Sequence, residues 1–572
     1  MLTSRVTAVL TRRIRPRPTP LHLSCRANAS VREKSTSILS DDNTIEAKII
    51  STAFNNNVTK NPLPDFNDAR ITYEDKSTTE LLRAAGCFRL CQVPFLVNYA
   101  ESMLWLGRKI VGGRIVDMIL KATLYGHFCA GEDQERIRPV LQSLANAGVG
   151  SILDYAAEND SGDGETTESA EFNITAREYD YESEAKCDKH TSTFIKCIKD
   201  VGALNPNHDG YAAVKVTALG NPKLLARLST AIVEAKRLFE VFDLDGDGLL
   251  SRKEFEVGYN RYFADGDTRI KKIFEKFDPL QTGYIDYITW SMMLQPQDLP
   301  KICKRCNTAG RLSDACPTDE EIELLNAMYD RGRLLGEEAA KSGVRLLIDA
   351  EQKRYQPAID NLVLELQREF NGSDKPIIYN TYQCYLVDSP ERLKNDVERS
   401  ERFNYHFGAK LVRGAYMESE RELAEAVGDP DPIHPTIEKT HECYNNSVAY
   451  LLRHSAKSDL NVEIMCATHN DESITKAIES MNDYGIDRTS STLCFAQLYG
   501  MSDALTFNLG KYGYRAFKYV PYGEVDEVMP YLLRRARENS AIVGATTFEL
   551  EMIKAELGRR FKGGQVSKQV QS

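Results

Sequence analysis

The chain has no run of 18 or more apolar residues, so no transmembrane helix is expected and any membrane contact must be peripheral. It has no excess of basic charge. With 83 acidic against 72 basic side chains the net charge is −11, which argues against a nucleic-acid partner. No Gly-x-Gly-x-x-Gly joins a strand-like run to a helix, so a dinucleotide cofactor need not sit in a Rossmann unit. Thirteen cysteines are present, but zinc-ligand spacing is not. Cys303-x-x-Cys306 and Cys316 have no fourth Cys or His nearby, which speaks against zinc and leaves reduced thiols. Residues 1–32 hold seven Arg and no Asp or Glu, the pattern of a mitochondrial transit peptide, and residues 1–35 are set aside on that ground. Residues 158–189, with eleven acids against three bases, read as a disordered loop.

What is present points to an α/β chain. At 572 residues there is room for two or three domains. Eight short apolar runs alternate with helical stretches: Val149–Tyr155, Tyr211–Val216, Val344–Asp349, Pro376–Thr381, Ala409–Arg413, Val462–Thr468, Thr492–Phe495 and Arg515–Val520. That alternation predicts a (β/α)8 barrel, built from residues 149–218 and 317–572. A helical region over 36–148 precedes it, and an all-α insertion over 219–316 interrupts it. Phe95 to Ala130 is apolar-rich and helical in pattern; it could serve a peripheral membrane contact, but an ordinary core helix pair is the favoured reading. The strand ends carry Asp154, Lys215, Asp349, Asn380, Lys410 to Arg413, Thr468-His469-Asn470, Gln497-Leu498 and Tyr519. Barrel chemistry sits at such ends, and a rim built for stability alone would not need so many polar groups.

After the last run, Pro521 and Gly523 break the strand, and Asp526 and Glu527 stand where a new helix would start. On it, Tyr531, Arg534 and Arg535 share one face. A phenol beside two guanidinium groups suits a small carboxylate. A solvated face with Arg–Glu pairs, using Glu527 and Glu538, is the other reading of the same residues.

Inside the insertion, Asp243-Leu-Asp245-Gly-Asp247-Gly248-Leu249 to Glu254 matches an EF-hand loop. Asp243, Asp245 and Asp247 fall at positions 1, 3 and 5. Leu249 offers its carbonyl at 7 and Glu254 its carboxylate at 12, so Ca²⁺ is the expected ion. A second loop, Asp278 to Thr289, keeps the central Gly283 but lacks an oxygen ligand at position 3 and the acid at 12. It reads as a degenerate partner.

Seven motifs in order resemble the proline dehydrogenase family: Val214-Lys215-Val-Thr-Ala-Leu-Gly; Leu347-Ile-Asp349-Ala-Glu351; Tyr379-Asn-Thr-Tyr-Gln383; Lys410-Leu-Val-Arg413-Gly-Ala-Tyr416; Ala467-Thr-His469-Asn470; Gln497-Leu-Tyr-Gly-Met501; and Tyr519 to Asn539. The resemblance implies an FAD-bearing barrel that oxidises L-proline to pyrroline-5-carboxylate and passes electrons to a membrane quinone. It implies a mitochondrial protein of the matrix, held peripherally at the inner membrane. By resemblance, Arg534, Arg535 and Lys215 clamp the substrate carboxylate, Asp349 orients the clamp, and Tyr519, Leu498 and Tyr531 wall the ring. Lys410 and Arg413 would lie near the flavin, where relatives in bacteria commonly carry Arg at the position of Lys410. Asn380 and Tyr382 would face its ring system, Gly414 and Ala415 would admit it closely, and Tyr416, Thr468, His469 and Asn470 would complete its rim. His469 has two other readings, a general base and a structural hydrogen-bonded histidine. For the chain as a whole, two other readings stand beside the proline dehydrogenase one. The first is a hydroxyproline dehydrogenase, which a bulky Tyr519 on the C4 side disfavours. The second is a Ca²⁺-binding regulator without activity, which the intact Lys215, Asp349 and Arg534/Arg535 set disfavours.

Overall fold

The computed structural model describes residues 60–155, 181–205, 209–264, 266–278, 281–293, 299–300, 305–306, 310–541 and 543–569. The transit-peptide reading and most of the acidic loop lie outside them. The last residues assigned to that loop, Glu184 to Lys189, instead open a helix, Glu184–Leu204, capped by the Ser183 side chain.

Ten strands are described. They are β1 (Val149–Tyr155), β2 (Tyr211–Val214), β3 (Leu249–Ser251), β4 (Tyr284–Asp286), β5 (Arg345–Ile348), β6 (Ile378–Gln383), β7 (Phe407–Val412), β8 (Val462–Ala467), β9 (Leu493–Leu498) and β10 (Ala516–Tyr522). Eight of them close a parallel barrel in the order β1-β10-β9-β8-β7-β6-β5-β2. Each expected run overlaps one barrel strand. The boundaries move by a few residues: β9 runs on through Gln497 and Leu498, and β2 stops at Val214, so that Lys215 leads into a 3-10 turn.

The period of two along each strand sorts the side chains. Ile152, Tyr211, Leu347, Tyr379, Met465, Cys494 and Phe517 meet inside the barrel. Alternate residues such as Leu153, Ala212, Leu346 and Ile378 face outward into one core with Phe194, Leu225, Met328 and Leu362 of the surrounding helices. At Gly150 an added Cβ would lie 2.3 Å from the Phe517 ring, so the missing side chain makes room for an aromatic one. The N-terminal end of the barrel is plugged by a buried ion pair. Arg345 Nε and Nη2 donate to Glu463 Oε2 and Oε1 at 2.6 and 2.9 Å, and the Tyr379 hydroxyl donates to the same carboxylate.

Helix Pro222–Phe242 starts with an Asn221 cap and Pro222 in its first turn. Its first half packs in the barrel core through Leu224, Leu225, Leu228 and Ala231. Its second half supplies Leu238, Phe239 and Phe242 to a separate core with Leu250, Phe255 and Trp290. The insertion therefore branches from the middle of a helix. It consists of two helix–loop–helix units whose loops pair through β3 and β4, with Leu250 opposite Ile285. The chain returns in helix Asp319–Ser342, begun by a Thr318/Glu321 capping box and ended by Gly343 in the left-handed region.

One expectation fails. Helices Pro94–Asn98, Ala100–Val111 and Gly113–Ala122 do not form a buried pair. Val116 and Leu120 are buried, but Phe95, Trp105, Ile110 and Met118 are exposed. The pattern carries apolar residues around more of each helix than one contact face can cover.

Arg345→Met is expected to destabilise the fold by about 3–5 kcal/mol, because it leaves Glu463 charged and buried. Arg345→Met/Glu463→Met should recover much of that loss. Chemical denaturation of the two variants checks both, and equal stability of single and double variant would refute the account.

Candidate functional site

The C-terminal rim of the barrel gathers charge from several strands. Asp349 follows β5, and its backbone N–H donates to Val214 O at 2.9 Å, which sets the loops after β2 and β5 side by side. Its carboxylate accepts Lys410 Nζ at 2.6 Å and the Tyr519 hydroxyl at 2.8 Å. Lys410 Nζ also lies 5.1 Å from the centre of the Tyr519 ring. Burial alone would raise the Asp349 pKa. Lys410, Lys215 and the Tyr519 hydroxyl more than offset it and hold the carboxyl below its usual range. The rim thus keeps an anion, two lysines and a phenol together.

Tyr519 stands in register with Leu498 on β9. Leu498 in turn packs in one cluster with Met501, Val525, Val528 and Tyr531. That cluster joins the strand ends to helix Met529–Ala541. Asp526 and Glu527 lie in the turn before this helix: Asp526 pairs with Arg108, and Glu527 accepts the Tyr155 hydroxyl at 3.3 Å. Arg534 is 9 % exposed and Arg535 1 %, which removes the solvated-face reading. Their guanidinium carbons lie 6.0 and 5.1 Å from the Tyr531 ring centre, and Arg535 Nη2 pairs with Glu538 at 2.5 Å. The Tyr531 hydroxyl is buried and has no hydrogen-bond partner among the described residues. A buried phenol without a partner beside two arginines fits a small anionic ligand.

Arg413, just beyond β7, forms a second cationic position. It donates to His441 Nδ1 at 2.9 Å, Thr468 Oγ1 at 2.6 Å and Ser473 Oγ at 2.8 Å. All three partners are neutral, so the rim has a guanidinium whose protein contacts do not cancel its charge. This fits an anionic or polar cofactor. Gly414 and Ala415 are exposed beside it, while Tyr416 is buried. Gly414 has φ +142, and an added Cβ would lie 2.4 Å from the Tyr385 ring. Asn470 caps helix Asp471–Asp483 by accepting Ser473 N. His469 Nε2 accepts Leu498 N at 3.3 Å, which places the ring proton on Nδ1, 2.7 Å from Ser502 Oγ. The imidazole opens to solvent within the rim. Enclosure there, then Lys518, Arg535 and Arg413, holds its pKa below the ordinary value.

Two residues leave the set. Asn380 and Tyr382 point away from the barrel axis: Asn380 Nδ2 donates to Asp360 at 3.1 Å and the Tyr382 hydroxyl to Asp396 at 2.8 Å, both on outer helices. The reason is register. Tyr379 faces inward, so Asn380 and Tyr382 take the alternate, outward positions.

Two supporting groups have weak sequence signals. Glu351, two residues beyond Asp349, is buried and accepts Thr217 N and Oγ1 at 3.1 and 2.7 Å. It fixes the turn that presents Lys215. Lys518, an apparent misfit between Phe517 and Tyr519, faces out of the barrel. It pairs with Asp503 at 2.9 Å and donates to Met501 O at 2.5 Å, and Lys76 pairs with the same Asp503. Together they hold the loop after β9. A charged residue at a strand's outward position was the available cue.

In the insertion, Asp243, Asp245 and Asp247 each offer a carboxylate oxygen within 4.8 Å of the others, the one such group of three or more His, Cys, Asp or Glu residues among the described residues. Gly248 turns the loop at φ +80. Glu254 accepts Leu244 N at 3.0 Å and Ser251 N at 2.9 Å. The second loop is occupied differently. Arg402 of helix Ser389–Phe403 pairs with Asp286 at 2.6 Å and donates to Thr289 Oγ1 at 3.2 Å.

A barrel whose C-terminal rim holds buried cations, a carboxylate and tyrosines is the site of an enzyme acting on a small charged molecule. The model of the family described as "Proline dehydrogenase" matches residues 139–547. "Proline dehydrogenase 1, mitochondrial" of Homo sapiens is 36 % identical over 88 % of this chain and 90 % of its own length. The protein of that name in Drosophila melanogaster is 33 % identical over 88 % and 81 %. "Hydroxyproline dehydrogenase" of Bos taurus is 29 % identical over 85 % and 92 %. The chain belongs to the proline dehydrogenase family and is an enzyme of that type.

Lys410→Met is expected to move the acid limb of the kcat/KM profile to higher pH. Removing the cation makes the Asp349 carboxyl hold its proton to higher pH. A pH profile of the variant with an unmoved acid limb would show that Asp349 is not the group that titrates there.

Proposed function

We propose that the enzyme is an FAD-dependent L-proline dehydrogenase of mitochondria that forms pyrroline-5-carboxylate and delivers electrons to a quinone in the inner membrane. The observation that carries this reading is the buried Tyr531–Arg534–Arg535 face joined through Leu498 to Tyr519 and Asp349. Proline is a compact zwitterion, and this arrangement offers it complementary groups. Arg534 and Arg535, with Lys215, bind its carboxylate. Leu498, Tyr519 and Tyr531 cover the pyrrolidine ring and keep water from the reacting C5–H. Asp349, kept anionic, holds Lys410 and the Tyr519 hydroxyl in fixed positions, so the ring meets a rigid wall. His469 has both ring nitrogens engaged, which makes it a support of the β9 loop rather than a general base.

FAD fits the other half of the rim. Arg413, Thr468, His469, Asn470, Gly414, Ala415 and Tyr416 are the residues that would hold it, with Arg413 supplying positive charge whose hydrogen-bond partners are neutral. When bound, the flavin accepts the two electrons and hydrogen released from C5. The basic, acid-free residues 1–32 and the mitochondrial names of the relatives support import into mitochondria.

We further propose an EF-hand pair in which the first loop binds Ca²⁺ through Asp243, Asp245, Asp247, the Leu249 carbonyl and Glu254. The donor set is all oxygen, and the β3–β4 pairing at the eighth position of each loop matches a paired hand. The second loop binds no ion: Arg402 already places a cation against Asp286 and Thr289.

The purified protein should show flavin absorbance that added proline bleaches. Arg535→Met should keep the flavin and raise KM for proline by a factor of about 30 or more, from loss of about 2–4 kcal/mol of charge-assisted bonding. A KM change below about threefold would remove the helix face from the substrate site.

Calorimetry should give one dominant Ca²⁺ site in the wild type and a much weaker one in Glu254→Gln, which loses the position-12 ligand. A wild-type protein that takes up no Ca²⁺ at millimolar levels would refute the site.

A further inference from the structure

The helices over residues 94–122 concentrate exposed apolar surface in a way found nowhere else among the described residues. Eleven of the twenty-six large apolar side chains that are exposed fall between Val93 and Ile119. Trp105 is 60 % exposed and Ile110 72 %. Met103, Leu106 and Ile110 are spaced along one face of helix Ala100–Val111. Ile115, Met118 and Ile119 do the same on helix Gly113–Ala122. Isolated exposed apolar residues need no explanation, but a contiguous set of this size marks an interaction surface.

We infer that this hairpin is the surface by which the enzyme lies on an anionic lipid bilayer. The inference rests on the membrane-acceptor reading above and names its contact surface. Three observations select lipid as the occupant. The helices are twelve and ten residues long, too short to span a bilayer, and no helix among the described residues is long and apolar enough to cross one. Lying in the interface is the geometry left to them. The second observation is charge. Residues 93–122 carry Arg108, Lys109, Arg114 and Lys121 against Glu101 and Asp117, in a chain of net charge −11. Both acids are tied to protein partners, Glu101 to Arg537 at 2.9 Å and Asp117 to Arg108 at 3.1 Å. Arg108 also pairs with Asp526, and Lys121 with Glu132 at 2.6 Å, so Lys109 and Arg114 are the cations this surface offers to lipid. Lys109 lies 3.6 Å from the Trp105 ring centre, pairing a cation with the side chain best suited to a headgroup layer. A second copy seated face to face would bring like charges together, and so would the acid-free residues 1–32. An anionic membrane removes that repulsion.

The third observation links the surface to the chemistry. The inner face of the hairpin, Val116 and Leu120, packs in the same cluster as Tyr531 and Leu498. One thin helical layer therefore separates the substrate pocket from the proposed lipid face, where an apolar electron acceptor is dissolved.

The test uses the full-length holoenzyme with vesicles of phosphatidylcholine alone or mixed with phosphatidylglycerol. The protein should float with the mixed vesicles, less so as salt is raised. Its fluorescence should shift to the blue, because Trp105 enters lipid while the other tryptophan, Trp290, is already buried. Ile110→Asp/Met118→Asp should weaken binding by about tenfold or more. Reduction of a water-soluble dye by proline should stay unchanged, which shows the variant folded and tests the proline reading without lipid. Absence of wild-type flotation would overturn the inference, as would equal flotation of the variant. Equal binding to neutral vesicles would overturn the selection of an anionic surface. A wild-type dimer that the variant splits, with no vesicle binding, would assign the face to a second copy instead.

Discussion

Closure of the barrel between its first and last strands is the constraint on which the rest depends. β1 and β10 pair in parallel over seven residues, from Val149 opposite Ala516 to Tyr155 opposite Tyr522, joining segments more than 360 residues apart in the chain. Pairs so distant repay their closure entropy only when the intervening strands are already ordered. Once closed, the register decides which side chains see the interior. Gly150 yields its place to Phe517, and two residues later Tyr519 reaches the rim beside Asp349. A slip of one residue would turn Tyr519 outward and Lys518 inward.

The two ends of the barrel use charge for different purposes. At the N-terminal end Arg345, Glu463 and Tyr379 satisfy one another and leave a closed plug. At the C-terminal end Asp349 is held ionised by Lys410, Lys215 and Tyr519, while Arg413 hydrogen-bonds to the neutral His441, Thr468 and Ser473. The first arrangement is self-sufficient, and the second presents charge to a ligand. That asymmetry follows barrel geometry, in which loops at strand C-termini are free to carry chemistry.

The insertion meets the barrel through two helices. Helix Pro222–Phe242 belongs to the barrel core at one end and to the helix–loop–helix core at the other. The second loop is fastened by Arg402 to helix Ser389–Phe403, which also carries Asp396, the partner of Tyr382 on β6. An ordering of the first loop by Ca²⁺ would therefore act on groups that lean against the barrel wall. The helices over 94–122 pack through Val116 and Leu120 in one cluster with Tyr531 and Leu498.

Much of this was legible in the chain. Local pattern set the eight strands, because a short apolar run between helical stretches has few alternatives once it must be buried on both faces. It set the first acidic loop of the insertion too, since Asp243, Asp245, Asp247 and the turning Gly248 lie within six residues of one another. The strand-end residues Asp349, Lys410 and Tyr519 were visible as polar interruptions of apolar runs. Other features depended on three dimensions. Whether Arg534 and Arg535 were solvated or buried turned on what packs against their helix. The outward turn of Asn380 and Tyr382 depended on which alternate set of β6 side chains faces the barrel axis, which periodicity alone does not decide in a strand buried on both faces. The partners of Lys518 and Glu351 come from distant segments that only closure brings together. The hairpin shows the same division: its apolar content was plain in the sequence, but a helix apolar on several sides reads as buried until the fold shows which side has no protein against it.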